Sequence, residues 1–536
     1  MNHAAAAPLQ ARIDHYFAAL QGCAAPGYSV GLLREGEVLL TKGYGLASLE
    51  QQTPLRRDSR LRIASVSKQF TVAAVLLLQA EGRLSLQDDV RRHLPELAAL
   101  PQAVTLDQLA RNTSGLPDML ELLRLGGANL DLRVDRAMLL QAIARCRHLN
   151  FEPGSRFLYC NSGFALLGLV VERVSGETLD GFLQHRLFRP LGMHNTSMEL
   201  SCDRPLPGLA TPYLPDADEP GRWRRALHAF EHGGEGGLVS TVDDLLLWAG
   251  QLLQPSPELR ELAQALAEPQ LLSGGHATPY ARGQEHSRWQ GIACLGHGGL
   301  WPGFRTEFLL MPEQQLAVVV ISNDGGSNPF KVARELAGIC LDRPTPPSTA
   351  DLRPWQGRWL DAELAQLIEI TVEGERHLGA QWGASFELHQ EADGSWVPLR
   401  GANELRLRPE GQDTVCAEIG AGRTARMSRV DPDAQLPAGL VGSYHCDDAA
   451  TTWRIVESAS GLELWAEGPL VKTQQAWTLH GLTPDLVELR SRGYWMQPHQ
   501  LLRLERDLAG RISTLVVDTG RIKQIRFQRQ DRPEPG

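Results

Sequence analysis

The sequence lacks the residue patterns that define several large protein classes. None of its eight cysteines forms a C-x-x-C pair, so the 536-residue chain offers neither a disulfide framework nor a zinc ribbon. Its net charge of −10 comes without any long basic block, and nucleic-acid binding normally needs a basic patch. Apolar runs such as residues 72–78 fall far below the roughly 18 residues of a membrane span. We therefore expect neither nucleic acid nor a membrane as a partner.

Two common hydrolase signatures are missing as well. The sequence has no nucleophile elbow of the α/β-hydrolase type, because its G-x-S-x-G match at residues 27–31 runs into the first hairpin strand and not into a helix. It has no H-E-x-x-H motif, and His232, His286 and His297 are isolated. We accordingly expect no metal and no other cofactor. The start of the chain has no basic stretch followed by a long apolar one. It therefore shows no secretory signal and favours a cytoplasmic protein.

Two proline-rich stretches divide the chain, which is too long for one compact domain. Residues 341–354 hold four prolines and residues 431–438 hold two, a composition suited to extended linkers. They predict three domains, at residues 1–340, 355–430 and 439–536.

The two C-terminal segments resemble each other and have the pattern of β structure. Gly357 is followed two positions later by Trp359, and Gly442 by Tyr444, with an acidic residue shortly after each aromatic. Both segments continue with short alternating apolar runs broken by turns, as at residues 367–372. This pattern predicts two antiparallel β barrels or sandwiches related by duplication.

The N-terminal segment mixes strand and helix patterns. Apolar runs flank the turns at residues 35–37 and 312–315, which predicts a β-hairpin near each end of this segment. Helical periodicity covers residues 67–81 and 243–253, and Ser240 and Thr241 can cap the second helix. We therefore expect an α+β domain, in which helices flank an antiparallel sheet that holds both hairpins.

Three short motifs carry the candidate chemistry, and the first is S-x-x-K at Ser65 and Lys68. Residues three apart lie on one face of a helix, with Cβ atoms about 5–6 Å apart, so Lys68 can reach the Ser65 hydroxyl. Serine is a poor nucleophile until a base takes its proton, and a lysine can act as that base when its pKa is lowered. The N-terminus of the same helix favours developing negative charge.

The second motif is Tyr159-Cys160-Asn161 and the third is His297-Gly298-Gly299. The phenol of the second motif can carry a proton, and its Asn161 amide can bond to a substrate amide. The two glycines allow a substrate to lie along a strand edge. The N–H of Leu300 can join that of Ser65 in an oxyanion hole. The candidate catalytic residues are thus Ser65, Lys68, Tyr159 and His297, and the candidate substrate-binding residues in this domain are Asn161, Gly299 and Leu300.

In this order and spacing, the three motifs resemble the serine β-lactamase and penicillin-binding protein superfamily. The resemblance covers residues 27–324 and includes the stretches at residues 113–117, 151–155 and 190–193. The Y-x-N motif, the H-x-G motif and the two β domains are most similar to the D-aminopeptidase family. That resemblance implies a β-lactamase-like domain and two eight-stranded barrels. It also implies an acyl-enzyme mechanism that releases N-terminal D-amino acids from small peptides, amides or esters.

The resemblance further implies a loop of the last barrel that reaches the active site. The matching segment is residues 468–475, where Gln474 is the candidate for substrate contact. This segment holds Lys472 but no Asp or Glu. The group that would bind a free amino terminus therefore stays open among backbone carbonyls, Gln474 and acids of the N-terminal domain.

Other functions remain open on the same fold. They are an esterase, a β-lactamase or D-Ala-D-Ala carboxypeptidase-like enzyme, and a non-catalytic binding protein. A homodimer is a further expectation.

Overall fold

The computed structural model describes residues 3–129, 134–199, 205–227, 231–344, 351–391, 393–398, 405–420, 422–459, 461–471, 476–490 and 499–530. Within these residues, every helix is too short or too polar to cross a membrane. The chain forms one α+β domain followed by two closed β barrels.

The strands of the first domain form one large sheet and several small ones. They are β1 (Tyr28–Arg34), β2 (Glu37–Tyr44), β3 (Leu46–Ser48), β4 (Thr53–Pro54), β5 (Leu61–Arg62), β6 (Ser197–Met198), β7 (Tyr213–Pro215), β8 (Trp223–Arg225), β9 (Leu238–Ser240), β10 (Glu285–Trp289), β11 (Ile292–Trp301), β12 (Phe304–Met311) and β13 (Leu316–Ser322). The large sheet has the order β10-β11-β12-β13-β1-β2, and β5, β9 and β6 form a smaller one. Since every pairing in the large sheet is antiparallel, the predicted sheet that joins both terminal hairpins is confirmed.

Helices cover both faces of the large sheet. They are α1 (His3–Tyr16), α2 (Ser67–Ala80), α3 (Val90–His93), α4 (Leu106–Ala110), α5 (Met119–Leu125), α6 (Arg136–Arg145), α7 (Asn161–Ser175), α8 (Leu179–Leu183), α9 (Arg189–Leu191), α10 (Val242–Leu253), α11 (Arg260–Ala267) and α12 (Pro329–Leu341). The predicted helices at residues 67–81 and 243–253 are confirmed as α2 and α10, and Thr241 accepts a hydrogen bond from Asp244 N at the start of α10.

The central strand β13 shows why its sequence is apolar throughout. Successive side chains of a strand point to opposite faces. Ala317, Val319 and Ile321 join the core that contains α2 and α7, while alternate residues of β13 join the core formed with α1 and α12. Both faces are covered, so all seven residues of β13 are buried.

Each C-terminal barrel closes from eight antiparallel strands. The first barrel contains β14 (Gly357–Asp361), β15 (Gln366–Glu373), β16 (Arg376–Gln381), β17 (Ala384–Gln390), β18 (Trp396–Pro398), β19 (Leu405–Glu410), β20 (Thr414–Ile419) and β21 (Thr424–Arg429). The second contains β22 (Gly442–Cys446), β23 (Thr451–Ser458), β24 (Gly461–Glu467), β25 (Trp477–Thr483), β26 (Leu486–Arg490), β27 (His499–Arg506), β28 (Ile512–Asp518) and β29 (Ile525–Arg529). The predicted β-barrel class is confirmed.

The two barrels repeat the same closing arrangement. Trp359 and Tyr444 are fully buried at equivalent positions of the first strand. The guanidinium of Arg429 lies over the Trp359 ring and that of Arg529 over the Tyr444 ring, at 4.5 and 5.4 Å from the ring centroids. Each arginine also donates to backbone carbonyls just before the first strand. This shared chemistry at the barrel closure supports the duplication inferred from the sequence.

The second barrel packs directly on the first domain. Trp453 Nε1 donates to the Leu125 carbonyl oxygen at 2.9 Å, and Leu122 and Leu125 of α5 share an apolar core with the barrel interior. Since α5 begins immediately after Asp118, this contact brings the last barrel next to the segment that precedes α5.

Candidate active site

Ser65 lies in a 3₁₀ turn, Ala64–Val66, directly before α2. Ala64 and Val66 are buried, whereas Ser65 is partly exposed. Ala64 has a φ of +49°, a left-handed conformation that residues other than glycine rarely adopt. The turn therefore presents a single hydroxyl at the start of a helix whose first turns are otherwise buried.

Lys68 lies one helical turn after Ser65, and its side chain is fully buried. Its Nζ contacts Ser65 Oγ at 2.9 Å, Asn161 Oδ1 at 2.9 Å and the Glu235 carbonyl oxygen at 2.6 Å. Burial lowers the pKa of Lys68 to about 7; the Glu235 carboxylate opposes this shift and the Arg521 cation adds to it. The neutral amine is therefore well populated near neutral pH, and it can accept the Ser65 proton.

Tyr159 forms a compact group with these two residues. Ser65 lies near enough to oppose the rise in the pKa of Tyr159, and the Tyr159 ring centroid lies 4.9 Å from Lys68 Nζ. Asn112 fixes the strand-like segment around it, because its carbonyl accepts from Leu158 N and its Oδ1 accepts from Cys160 N. Burial raises the pKa of Tyr159 above its usual value, so the phenol is protonated and can donate a proton.

Asn161 begins α7 and is anchored by a buried carboxylate. Its backbone N and its Nδ2 both donate to Asp118 Oδ2, at 2.9 and 3.0 Å. Asp118 has no exposed surface and also caps α5 by accepting from Leu120 N. An amide nitrogen carries two hydrogens, so Asn161 Nδ2 keeps a second hydrogen with which it can bond a substrate carbonyl.

His297 lies on β11 and is buried. Its Nδ1 is 2.6 Å from the Gly298 carbonyl oxygen and its Nε2 is 2.9 Å from Tyr280 Oη. A carbonyl only accepts, so Nδ1 carries the proton and Nε2 accepts from the tyrosine. Burial lowers the pKa of His297 to about 3, and Lys68 adds to the effect. His297 is thus a neutral ring, and its centroid lies 5.9 Å from that of Tyr159.

The same strand brings a backbone edge close to Ser65. β10 pairs with β11 as far as Gly296, and among the described strands none pairs with residues 297–301 on that side. A Cβ at Gly299 would lie 2.4 Å from the Ile63 carbonyl oxygen, so only glycine lets β11 pass this near the Ser65 turn. Leu300 follows and is 43% exposed. This edge can bond to an extended substrate main chain.

Several groups at the site were not predicted from the sequence, namely Asp118, Glu235, Tyr280 and Arg521. Asp118 has the local signature of a capping aspartate before an apolar run, which gives no hint of its bonds to Asn161. Arg521 and Asp118 are 403 positions apart in the chain. Arg521 lies in the β28–β29 turn, and its Cζ is 4.8 Å from the Tyr159 ring centroid.

The loop expected to reach the active site is described only in part. Leu470 and Val471 pack against the end of α5, where a Cβ at Gly126 or Gly127 would lie within 2.9 Å of their side chains. Residues 472–475 lie outside the described residues, and so does Gln474. The proposed substrate contact of Gln474 stays a prediction. No group of three or more His, Cys, Asp or Glu side chains in the described part of the chain is placed to hold a metal ion.

Comparison with known proteins places the chain in a family. Residues 13–340 match the beta-lactamase family. A D-aminopeptidase of Brucella anthropi is 28% identical over 522 residues, which is 94% of this chain and 95% of that protein. The octameric penicillin-binding protein homologue of Pyrococcus abyssi matches with a TM-score of 0.55 at 17% identity, over 97% of this chain and 99% of that one. The D-amino acid amidase of Ochrobactrum anthropi SV3 matches with a TM-score of 0.52 at 22% identity, over 63% and 98% of the two chains.

Fold and site together define a hydrolase of the serine type. The family match spans more than half of the sequence, and the chain belongs to the beta-lactamase family. The similarity to D-aminopeptidases over almost the whole chain confirms the resemblance drawn from the three motifs.

Proposed function

We propose that this protein is an aminopeptidase that releases N-terminal D-amino acids from small peptides, amides or esters through an acyl-enzyme on Ser65. The observation that carries this proposal is the contact between Lys68 Nζ and Ser65 Oγ at 2.9 Å, made by a lysine whose pKa lies near neutrality. The D-aminopeptidase relatives supply the substrate class.

In the acylation step, neutral Lys68 takes the Ser65 proton as Oγ attacks the substrate carbonyl carbon. The carbonyl oxygen becomes an oxyanion, which the N–H groups of Ser65 and Leu300 stabilise. Asn161 Nδ2 and the edge of β11 hold the substrate in line. The neutral ring of His297 lies beside Tyr159 and adds no charge there.

In the second half of the step, the leaving group needs a proton. Tyr159 Oη donates it to the departing amine or alcohol and recovers a proton from Lys68, so that charge returns to its starting distribution. Water then attacks the acyl-enzyme by the same proton path in reverse, which frees the amino acid and Ser65.

To bind a free amino terminus, the site needs a group that attracts the positively charged ammonium. Glu285 is an acid of the first domain at the site: its Oε1 lies 3.9 Å from His297 Nε2, and its side chain is 14% exposed. We assign the substrate ammonium to this carboxylate. Glu285→Gln should raise KM for free-amino substrates by roughly tenfold, as expected for a lost charged hydrogen bond, and leave N-acetylated substrates unchanged. An equal effect on both substrates would remove Glu285 from this role.

A panel of small substrates tests the proposed function. D-aminoacyl and L-aminoacyl amides, short esters, an N-acetyl-D-aminoacyl amide and a cephalosporin should be compared by kcat/KM in the purified full chain. We expect the free D-aminoacyl amides to be the best substrates. Preference for esters without regard to chirality would indicate an esterase, and preference for the cephalosporin a β-lactamase. Stoichiometric labelling of the protein without turnover would indicate a binding protein.

A further inference from the structure

The turn between β28 and β29, residues 519–524, is inserted into the first domain beside the site. Asn150 holds it on both sides, because its Nδ2 donates to the Arg521 carbonyl oxygen at 3.1 Å and its Oδ1 accepts from Lys523 N at 2.8 Å. Glu121 accepts from Arg521 N at 2.8 Å and from Thr519 Oγ1. The backbone of Arg521 is therefore fixed by side chains of the first domain.

The side chain of Arg521 is directed at the proton-carrying group. Its Cζ lies 4.8 Å from the Tyr159 ring centroid, and its Nη1 lies 3.5 Å from Asp118 Oδ2. Asp118 is the buried carboxylate that anchors Asn161. Arg521 is 38% exposed at its side chain, so solvent weakens its field but leaves the guanidinium next to the phenol.

The contact between Arg521 and Tyr159 bears on the charge of Lys68. Proton transfer from Ser65 requires neutral Lys68, and His297 is neutral because it is buried. In the described part of the chain, the ionisable groups that act on Lys68 or Tyr159 include Glu235, Asp118, Glu285, Cys160, His232, Tyr280, His297 and Arg521. Among them, Arg521 is the permanent cation.

We propose that Arg521 is a positioning residue of the hydrolytic site, a fixed positive charge against Tyr159 that disfavours a second positive charge on Lys68. The last barrel thereby completes the acylation site of the first domain. The direction of the pKa shifts agrees, since Arg521 lowers the pKa of both Lys68 and Tyr159. The inference rests on the proposed roles of Ser65 and Lys68.

The test is the pH dependence of acylation by a fluorophosphonate, followed in the full chain as the rate of covalent labelling. The wild-type rate should rise with pH through about 7, where Lys68 loses its proton. In Arg521→Gln the pKa of Lys68 rises. The ascending limb of the curve of labelling rate against pH should therefore move to higher pH by about one unit, as expected for loss of a nearby charge. Labelling at pH values below the limb should then fall about tenfold and recover at alkaline pH.

Two variants separate charge from structure. Arg521→Lys keeps the cation and should keep the limb near its wild-type position. Arg526→Gln removes an exposed arginine of the same barrel, which pairs with Glu505, and should leave the profile unchanged. If Arg521→Gln is unstable, Arg521→Ala with added methylguanidinium should move the limb back towards the wild-type pH.

Each outcome supports or overturns one claim. An unshifted limb in Arg521→Gln, or a fall in rate by the same factor at every pH, overturns the role of Arg521 while leaving Ser65 in place. A limb that moves equally in Arg521→Lys and Arg521→Gln also overturns it. Absence of labelling in the wild type, or labelling at another serine, overturns the proposed function itself.

Discussion

The last hairpins of the two barrels occupy equivalent places in a duplicated scaffold, yet they differ in what they reach. The first barrel joins β20 to β21 through residues 420–423, and the second joins β28 to β29 through residues 519–524. The shorter turn meets the first domain at His276, which a Cβ at Gly422 would approach to 2.6 Å. The longer turn places Arg521 beside Tyr159. Two extra residues on one copy thus bring this barrel to the proposed reacting groups.

This difference suggests how a duplicated domain acquires a role without changing its fold. The closing contacts at Trp359 and Tyr444 are the same in both barrels, so the core is retained. The change lies in a turn, where additional residues disturb no ladder of hydrogen bonds.

The largest losses of activity should come from substitutions in the first domain, because that domain carries the proposed nucleophile and the proposed proton carriers. Lys68→Ala and Tyr159→Phe should each lower kcat/KM by roughly 10²–10⁴-fold, the usual contribution of a general acid or base. The double variant should lose little more than either single one, because the two residues share one proton path. Steady-state kinetics with a D-aminoacyl amide measures this, and fully multiplicative effects would contradict a shared path.

Replacing the long turn of the second barrel by the short turn of the first tests whether the difference between the two hairpins matters for activity. Replacing residues 519–524 by the sequence of residues 420–423 removes both Arg521 and its anchors. It should lower kcat/KM at neutral pH by roughly tenfold, since loss of the nearby charge raises the pKa of Lys68 by about one unit.

The control for this transplant is a glycine-rich turn of the same length at residues 420–423. It should change kcat/KM by less than about twofold, as for most surface changes. Circular dichroism and melting temperature confirm the fold of both variants. Equal losses in the two would show that either turn supports the site only through stability.

A pair of glycines on β11 provides a benchmark within the first domain. Gly299→Ala forces a Cβ to within 2.4 Å of the Ile63 carbonyl oxygen, whereas a Cβ at Gly298 meets its nearest atom at 3.4 Å. We expect Gly299→Ala to lower kcat/KM by about tenfold or more, because a shift of about 1 Å at a reacting group can cost up to 10²-fold. Gly298→Ala should be much milder, and equal effects would contradict the close approach of β11 to Ser65.

The smallest effect on activity concerns the interface between the barrels. Glu488 is buried and is bound by Arg358 of the first barrel, by Arg490 and by His499. Burial alone would raise the pKa of Glu488, but these three partners lower it to about 2. A lowered carboxyl pKa adds stability above the unfolded value near 4.5, and that stability is lost as pH falls towards 2.

Glu488→Gln should therefore cost about 1–3 kcal/mol of unfolding free energy at neutral pH. The difference from the wild type should vanish in acid, and kcat/KM should stay unchanged. Urea unfolding at several pH values measures this. A difference that persists at low pH would show that the charge of Glu488 is not the cause.

The sequence predicted those parts of the molecule that follow from local patterns. The hairpin at residues 35–37, the helix after Ser65 and the cap at Thr241 each depend on residues within a few positions. The three motifs were sufficient to name Ser65, Tyr159 and Asn161 as neighbours of Lys68, but not Glu235. The domain boundaries, the homodimer and the cytoplasmic location stay predictions.

What the sequence could not predict depends on tertiary contacts. Asp118 reads as a helix cap, and only the packing of α5 on α7 shows that it orients Asn161. His297 is neutral because of burial, which its motif does not encode. Arg521 lies in a turn without a distinctive sequence pattern. The family resemblance predicts that a different segment of the last barrel, residues 468–475, reaches the active site.

The most direct test of the account is to trap the acyl-enzyme during turnover. The protein should be mixed with a D-aminoacyl ester, quenched in acid within the first turnovers, digested and analysed by mass spectrometry. We predict that the peptide containing Ser65 gains the mass of one D-aminoacyl group, and that Ser65→Ala shows neither the adduct nor turnover. Turnover with no adduct at Ser65, or with the adduct on another serine, would contradict the assignment of the nucleophile.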